Sequence, residues 1–420
     1  MEICEHDQCL ACAACINVCP HGAIELCEDS LGTLHAVVKE SLCRKCGLCR
    51  KVCPVNAPPS LHEPMHCYAA WTTDHARRAK CASGGIATAL SEYVVNSKHG
   101  AVVGTALDDK MTPRVVIAET IEQVERLKGS KYVQSIVSGT VFVDVKQQLE
   151  SGRIVLFVGT PCQIAGLISF LQRPYDNLIT ADLVCHGTVP PRYFIEEIQK
   201  LSNDYCLSRV SNVRFRGNDD DNSHRTVLDR LLGRINTNNY RFTVWSKSDS
   251  GKEMLVYRGT PTSNYYLAGF LQGVTLRNPC YSCRFARPER IADITLGDFL
   301  NLGKQRSFPY AVSNVSVVLL NTNKGVRLFS DLLEYDKSIV AVKRDYQERL
   351  TYPYALLMPF PRHPLNARFL RLYRDNGYPG AVRKTMWLTL IFKRILNQLL
   401  HFSRLPFYAL DKICKRFCHS

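Results

Sequence analysis

The sequence predicts three consecutive units: a cysteine-organised α+β unit over residues 1–60, an α/β domain over 67–345 and a basic helical tail over 361–420. Three observations predict them. A cysteine run occurs twice near the start, apolar strand-like runs alternate with helix-period segments through the middle, and an apolar stripe lies in a cationic end segment.

In the first unit Cys9, Cys12, Cys15 and Cys19 are followed by Pro20, and Cys43, Cys46, Cys49 and Cys53 by Pro54. The run Cys-x2-Cys-x2-Cys-x3-Cys-Pro therefore recurs at an offset of 34 residues. This is the ligand run of two-cluster bacterial ferredoxins, in which the fourth cysteine of each run serves the other cluster. On that rule Cys9, Cys12, Cys15 and Cys53 hold one 4Fe-4S cluster, and Cys43, Cys46, Cys49 and Cys19 hold the second. Thiolates two residues apart can wrap one corner of a cube, and the prolines turn the chain while removing an N–H that would have no partner. Small residues between the ligands (Ala11, Ala13, Ala14, Gly47) let backbone N–H groups approach the sulfides. Zinc sites use Cys-x2-Cys pairs rather than triplets with a distant fourth ligand. A disulfide framework does not fit a chain whose opening, Met1 to Asp7, is polar and carries no expected export signal. Nineteen cysteines then point to metal ligation in a reducing cytoplasm. The first unit is expected to be a ferredoxin-like cluster domain that moves electrons, closed by a stiff exit at Pro54, Pro58, Pro59 and Pro64.

Strands are expected at Ala101–Leu107, Val115–Ala118, Ile154–Val158 and Leu178–Cys185, and helices at Ile121–Lys128, Val141–Glu150 and Cys162–Leu171. This alternation argues an α/β domain with a mostly parallel sheet. The polar, arginine-rich stretch 203–239 reads as a loop-rich excursion. Thr160 can cap a helix whose first position suits Pro161, so Cys162 sits at a helix start that favours thiolate. If the strands before Cys162 and Cys185 are parallel, both cysteines emerge at the carboxyl edge of the sheet, where α/β ligands bind. Cys280 and Cys283 follow as a Cys-x2-Cys pair. These four have a route to a third cluster; a structural zinc or buried thiols are the alternatives, and Cys81 and Cys67 are substitute ligands.

The formal net charge of +15 looks like a nucleic-acid signal until it is located. From Pro361 onward twelve Lys and Arg face two acids, so two-thirds of the excess lies in the tail. There Met386, Trp387, Leu390, Ile391, Ile395, Leu399, Leu400 and Phe402 form an apolar stripe beside Lys393 and Arg394. Such a helix packs on its own protein, docks on a partner, or lies against the inner face of an anionic membrane. No aromatic-interleaved basic groove supports nucleic-acid binding. The apolar runs are too short for a membrane span, and Cys414 and Cys418 are expected to be unligated.

Six segments occur in an order that resembles the family of coenzyme F420 hydrogenase/dehydrogenase beta subunits: Ser83-Gly84-Gly85-Ile86-Ala87-Thr88, Ser130-Lys131-Tyr132-Val133-Gln134-Ser135, Gly159-Thr160-Pro161-Cys162-Gln163, Cys185-His186-Gly187, Cys280-x2-Cys283 and Ala292-Asp293-Ile294-Thr295-Leu296-Gly297-Asp298. The resemblance covers about residues 67–300 and implies an α/β flavoprotein domain that binds FAD beside iron–sulfur centres. It places Ser83, Gly84, Gly85, Thr88, Lys131, Tyr132, Gln134, Ser135 and Thr160 against FAD. Asp293 and Asp298 would lie on its ribityl or ribose hydroxyls, or in structural turns, and His186 would be a proton donor near the flavin ring or a hydrogen-bonding residue. Arg214, Arg216, Arg225, Arg230, Arg234 and Arg241 would grip an anionic substrate or form a solvated face. The implied partners are a redox protein or low-potential electron carrier and a small-molecule hydride carrier or substrate. The expected activity is an FAD- and 4Fe-4S-dependent oxidoreductase; the alternative is an electron-transfer partner that supplies another enzyme.

Overall fold

The computed structural model describes residues 2–217, 240–247, 251–310, 312 and 314–402. The first unit is an antiparallel hairpin of β1 (Ile24–Glu28) and β2 (Leu34–Val38), flanked by short helices Ala14–Val18 and Leu48–Lys51. The duplicated sequence yields a duplicated backbone: Ala11 and Lys45 take φ of 51° and 54°, and Ala13 and Gly47 take 62° and 78°. Left-handed turns at the same two offsets curl each cysteine run back on itself.

Among the described residues eleven further strands follow: β3 (His66–Thr72), β4 (Ala101–Leu107), β5 (Pro113–Ala118), β6 (Val155–Gly159), β7 (Leu178–Leu183), β8 (Val210–Arg216), β9 (Tyr240–Lys247), β10 (Glu253–Gly259), β11 (Ile294–Asp298), β12 (Ser316–Leu320) and β13 (Ile339–Arg344). Eight of them form one sheet in the order β13-β3-β12-β11-β7-β6-β4-β5, and β10-β9-β8 form a separate antiparallel sheet. Side chains alternate across the large sheet. Val102 and Leu156 face a core shared with helices Ile86–Asn96 and Asn323–Tyr335, while Val103, Val155 and Phe157 face helices Val141–Glu150 and Pro161–Leu171. Cys12, Ala13, Ala14 and Val52 of the first unit join the second of these cores, so the two units share buried apolar surface.

The large sheet is mixed rather than mostly parallel. β11-β7-β6-β4 are parallel, but β5, β12, β3 and β13 are each added antiparallel. The alternation of strands and helices over 101–185 yields β4, β6 and β7 of the parallel centre together with antiparallel β5; β11 completes the centre from a distant segment, and β3, β12 and β13 come from before and after that stretch, where local pattern does not set strand direction. Part of the stretch read as loop is also ordered: helix Pro191–Asp204 runs into it and β8 follows, while 218–239 lie outside the described residues, as do Arg225, Arg230, Arg234, Cys414 and Cys418.

Helix Asn366–Phe402 bends at Gly377 (φ 60°). Its stripe divides between two faces. Met386 and Leu390 are buried in a core with helices Pro191–Asp204 and Tyr265–Leu271, whereas Trp387, Leu388, Ile391, Phe392 and Ile395 are exposed. Among the described residues no helix is long and apolar enough to cross a membrane.

Candidate electron-transfer site

The crossed cysteine sets emerge from the fold. A cavity of about 390 Å³ is lined by Cys9, Cys12, Cys15 and Cys53, and a second, smaller pocket by Cys19, Cys43, Cys46 and Cys49. Sequence spacing missed Cys4, which lies five residues outside the repeat and lines the first cavity. Hydrogen bonds to Cys53 and Cys9, then burial, push the Cys4 thiol up; the same bonds hold Cys9 and Cys53 below the ordinary thiol range. Two of the four candidate ligands are thereby biased toward the thiolate that binds metal.

Two arginines that no motif singled out fasten this unit to the α/β domain. Arg277, 4% exposed, donates to the carbonyls of Leu10 (3.3 Å), Cys9 (3.1 Å) and Leu34 (3.5 Å). Arg284 donates to the carbonyls of Pro54 (3.2 Å) and Val55 (2.9 Å), directly after Cys53. Asn17 adds a third tie, accepting from the N–H of Phe142 at 3.1 Å.

A further quartet assembles where the two units meet. Cys162 opens helix Pro161–Leu171 behind β6, Cys185 follows β7, and Cys280 packs against Thr188, whose N–H lies 3.4 Å from its Sγ. Burial first, then the charges of Cys280, Cys162 and Cys283, drives the Cys185 thiol well up, and burial with the charges of Cys162 and Cys280 pushes Cys283 up to about 12. Thiols gathered this way stay protonated on their own and ionise together only with a cation among them. Among the described residues, the one set of three or more His, Cys, Asp or Glu with ligand atoms within 4.8 Å of one another contains no cysteine. The quartet is thus wider than a mononuclear zinc site, where a Zn–S bond of about 2.3 Å sets sulfurs ~3.8 Å apart. Cys67 lies inside β3 and Cys81 bonds Thr88 Oγ1 (3.3 Å) and the Arg77 carbonyl (3.1 Å), so neither joins the quartet.

The carboxyl ends of β6, β7 and β11 define one edge, and β3 ends there too: Asp298 pairs with Ser316, which pairs with Ala70. At this edge Gly84 donates its N–H to Ser316 Oγ (3.0 Å), and a Cβ on Gly84 would stand 2.3 Å from the Ala70 carbonyl oxygen. The glycine pair is thus required first by sheet packing. It also delivers the N-terminus of helix Ile86–Asn96 to the edge, where free N–H groups suit a phosphate. Ser83 lies 3.5 Å from the Asn314 carbonyl and Thr88 on Cys81. Ser135 bridges Thr105 and Gln163, and Gln163 accepts from the N–H of Thr160. Two predicted contacts retain unsatisfied acceptors: among the described residues, the buried atoms Gln134 Oε1 and Asp298 Oδ1 have no hydrogen-bond partner. The other oxygen of Asp298 pairs with Arg216 at 2.7 Å. A ring N–H and a hydroxyl of a flavin nucleotide are donors of the kind these two oxygens lack.

Other predicted contacts have different duties. Lys131 Nζ donates to the carbonyls of Arg126, Leu127 and Lys128 and so caps helix Ile121–Leu127. Burial draws its pKa down to about 7. Tyr132 stacks on Phe270 with ring centroids 4.6 Å apart. His186 sets Nε2 3.1 Å from the Phe270 carbonyl, and burial lowers its pKa to about 4, so the ring is neutral and suited to hydrogen bonding rather than proton donation. Asp293 is a correction. It precedes β11 at the opposite, amino edge, and its oxygens accept from Thr180 N (2.8 Å), Thr180 Oγ1 (2.9 Å) and Thr322 Oγ1 (2.6 Å), which is the structural turn role. Arg214 lies over the Trp245 ring at 5.6 Å.

Comparison with known proteins matches three segments. Residues 67–141 match the amino-terminal model of the coenzyme F420 hydrogenase/dehydrogenase beta subunits, 152–343 match the carboxyl-terminal model of the same proteins, and 8–57 match a 4Fe-4S dicluster domain. One relative, a component of the F(420)H(2) dehydrogenase of Methanosarcina mazei, is 26% identical over 214 residues, 48% of this chain and 61% of that protein. Coenzyme F420-dependent sulfite reductase of Methanocaldococcus jannaschii is 25% identical over 219 residues, 50% of this chain and 32% of that protein. The chain therefore spans less than two-thirds of either relative. A chain in the structure of the F420-reducing [NiFe] hydrogenase complex from Methanosarcina barkeri aligns over 78% of this chain and 92% of its own, at 16% identity and a TM-score of 0.41, too loose a likeness to carry an argument.

Proposed function

The chain belongs to the family of coenzyme F420 hydrogenase/dehydrogenase beta subunits, with a 4Fe-4S dicluster domain at residues 8–57, and from that premise we propose an iron–sulfur flavoprotein oxidoreductase that relays electrons between its clusters, FAD and a two-electron organic carrier or substrate. FAD supplies the exchange between hydride and single electrons. The protein's part is placement. Ser83, Gly84, Gly85 and Thr88 frame the helix start that receives its phosphates, while Gln134 and Asp298 accept hydrogen bonds from it. Cys162, Cys185, Cys280 and Cys283 hold a third 4Fe-4S cluster. Arg216 fixes Asp298, and Tyr132 walls the site beside Phe270.

The observation that carries this reading is the position of that quartet. Cys162 and Cys185 follow β6 and β7 at the edge where Asp298 ends β11, Gly166 on the helix of Cys162 meets Cys12, and Arg277, three residues before Cys280, donates to the Cys9 carbonyl. The test is anaerobic purification with iron, sulfide and flavin quantitation. About twelve irons and one FAD are expected, falling to about eight irons in Cys185→Ser. A wild-type protein with about eight irons that takes up no FAD would overturn the reading.

The exposed apolar face of the tail helix, Trp387 to Ile395, favours a second reading in which the chain docks on and supplies another enzyme. Oxidation of a hydride donor by the purified chain alone would reject it.

A further inference from the structure

We propose that His6, Asp29 and His35 form a mononuclear zinc site on the rim of the first cluster cavity, separate from every cysteine set. One ligand atom from each lies within 4.8 Å of the others. The three come from different segments: His6 from the turn His6–Gln8 that leads into Cys9, Asp29 from the bend after β1, and His35 from β2. The His6 and His35 rings meet edge to face with centroids 4.2 Å apart, and both line the cavity of Cys9, Cys12, Cys15 and Cys53.

The atoms behind the three ligands are already arranged as a metal site needs them. His6 Nδ1 is 3.5 Å from Asp7 Oδ1 while its Nε2 is turned toward Asp29 Oδ2 at 4.0 Å. His35 Nδ1 is 3.4 Å from the Thr33 carbonyl, which leaves Nε2 as its metal donor. Asp29 Oδ1 accepts from the N–H groups of Leu31 and Thr33, both at 2.8 Å, which fixes the carboxylate and leaves Oδ2. A metal-binding histidine characteristically turns its other ring nitrogen to a carboxylate or carbonyl, and here His6 Nδ1 faces Asp7 and His35 Nδ1 faces the Thr33 carbonyl. Two imidazoles and one carboxylate suit zinc, with a fourth position for water. Asp7 also accepts from Asn278 Nδ2 at 3.4 Å, two residues before Cys280. Zinc at this point would clasp the turn entering Cys9 to the β1–β2 bend and, through Asp7, to the loop of the third quartet.

The experiment uses full-length protein purified anaerobically, incubated with excess Zn²⁺ and freed of unbound ion by gel filtration. About one zinc per chain should remain in addition to the iron. The extended fine structure beyond its absorption edge should show a nitrogen and oxygen shell at about 2.0 Å without sulfur at about 2.3 Å. The double variant His6→Gln/His35→Gln should lose that zinc with iron and sulfide unchanged, and Asp7→Asn should weaken zinc binding by about 10–100-fold. No retained zinc, a sulfur-dominated shell, or full zinc content in the double variant would each overturn the proposal. Should the double variant also lose iron, the wild-type fine structure decides by itself.

Discussion

Gly166 and Cys12 touch so closely that a Cβ built on the glycine would stand 2.7 Å from the cysteine Cβ and 3.0 Å from its Sγ. Gly166 lies one helical turn after Cys162. The missing side chain is what lets the helix carrying one candidate cluster ligand approach a ligand of another.

Gly166→Ala therefore sets two effects against each other. Alanine gains about 1 kcal/mol of helix propensity, but overpacking against a backbone that cannot retreat costs about 1–3 kcal/mol. The second should win: a lower unfolding midpoint and reduced iron content are expected, and an unchanged midpoint with full iron would show that the contact is slack.

Arg277→Lys should be damaging although charge is kept. One guanidinium spans three carbonyls, and an ammonium is a point charge that cannot reproduce the fork. Loss of one or two charged hydrogen bonds implies roughly 2–4 kcal/mol. Iron should be lost faster to a chelator from the set containing Cys9, as followed by the visible cluster absorbance.

Paired variants separate the crossed ligand assignment from a sequential one. Cys9→Ala with Cys53→Ser should abolish a single ferredoxin cluster, about four irons, because both lie on one cavity. Cys9→Ala with Cys19→Ser should abolish both, about eight irons on the same four-iron stoichiometry. The reverse pattern would mean that each run serves its own cluster.

Glu197, buried beside Asn264 (3.3 Å), has its pKa raised by burial to about 7. The native state then holds a proton that the unfolded chain releases near pH 4.5, so stability falls as pH rises from about 4.5 to about 7. Glu197→Gln should flatten that slope and raise stability at pH 8 by up to about 3 kcal/mol. Unfolding midpoints at about pH 4 and about pH 8, on either side of that window, check the sign.

Local pattern was enough for part of this. The bounds of β4 and of helix Val141–Glu150 follow from apolar runs and periodicity alone. Ligand spacing combined with one rule about ferredoxins anticipates which cysteines share a cavity. What pattern could not reach depends on partners far away in sequence. Gly84 reads as a flexible ligand-approach residue, yet its neighbours are the Ala70 carbonyl and Ser316. Asp293 and Asp298 are five residues apart along one segment, and only the direction of β11 shows that they occupy opposite edges. Arg277 belongs to no motif because the groups it serves are backbone carbonyls, which any sequence provides.

Arg277 holds the loop entering the first cysteine run and Arg284 holds the loop leaving the second. A module gripped at both ends of its wiring has a soldered joint instead of a hinge. Motion between the two units should therefore not limit electron transfer, and turnover should be insensitive to solvent viscosity.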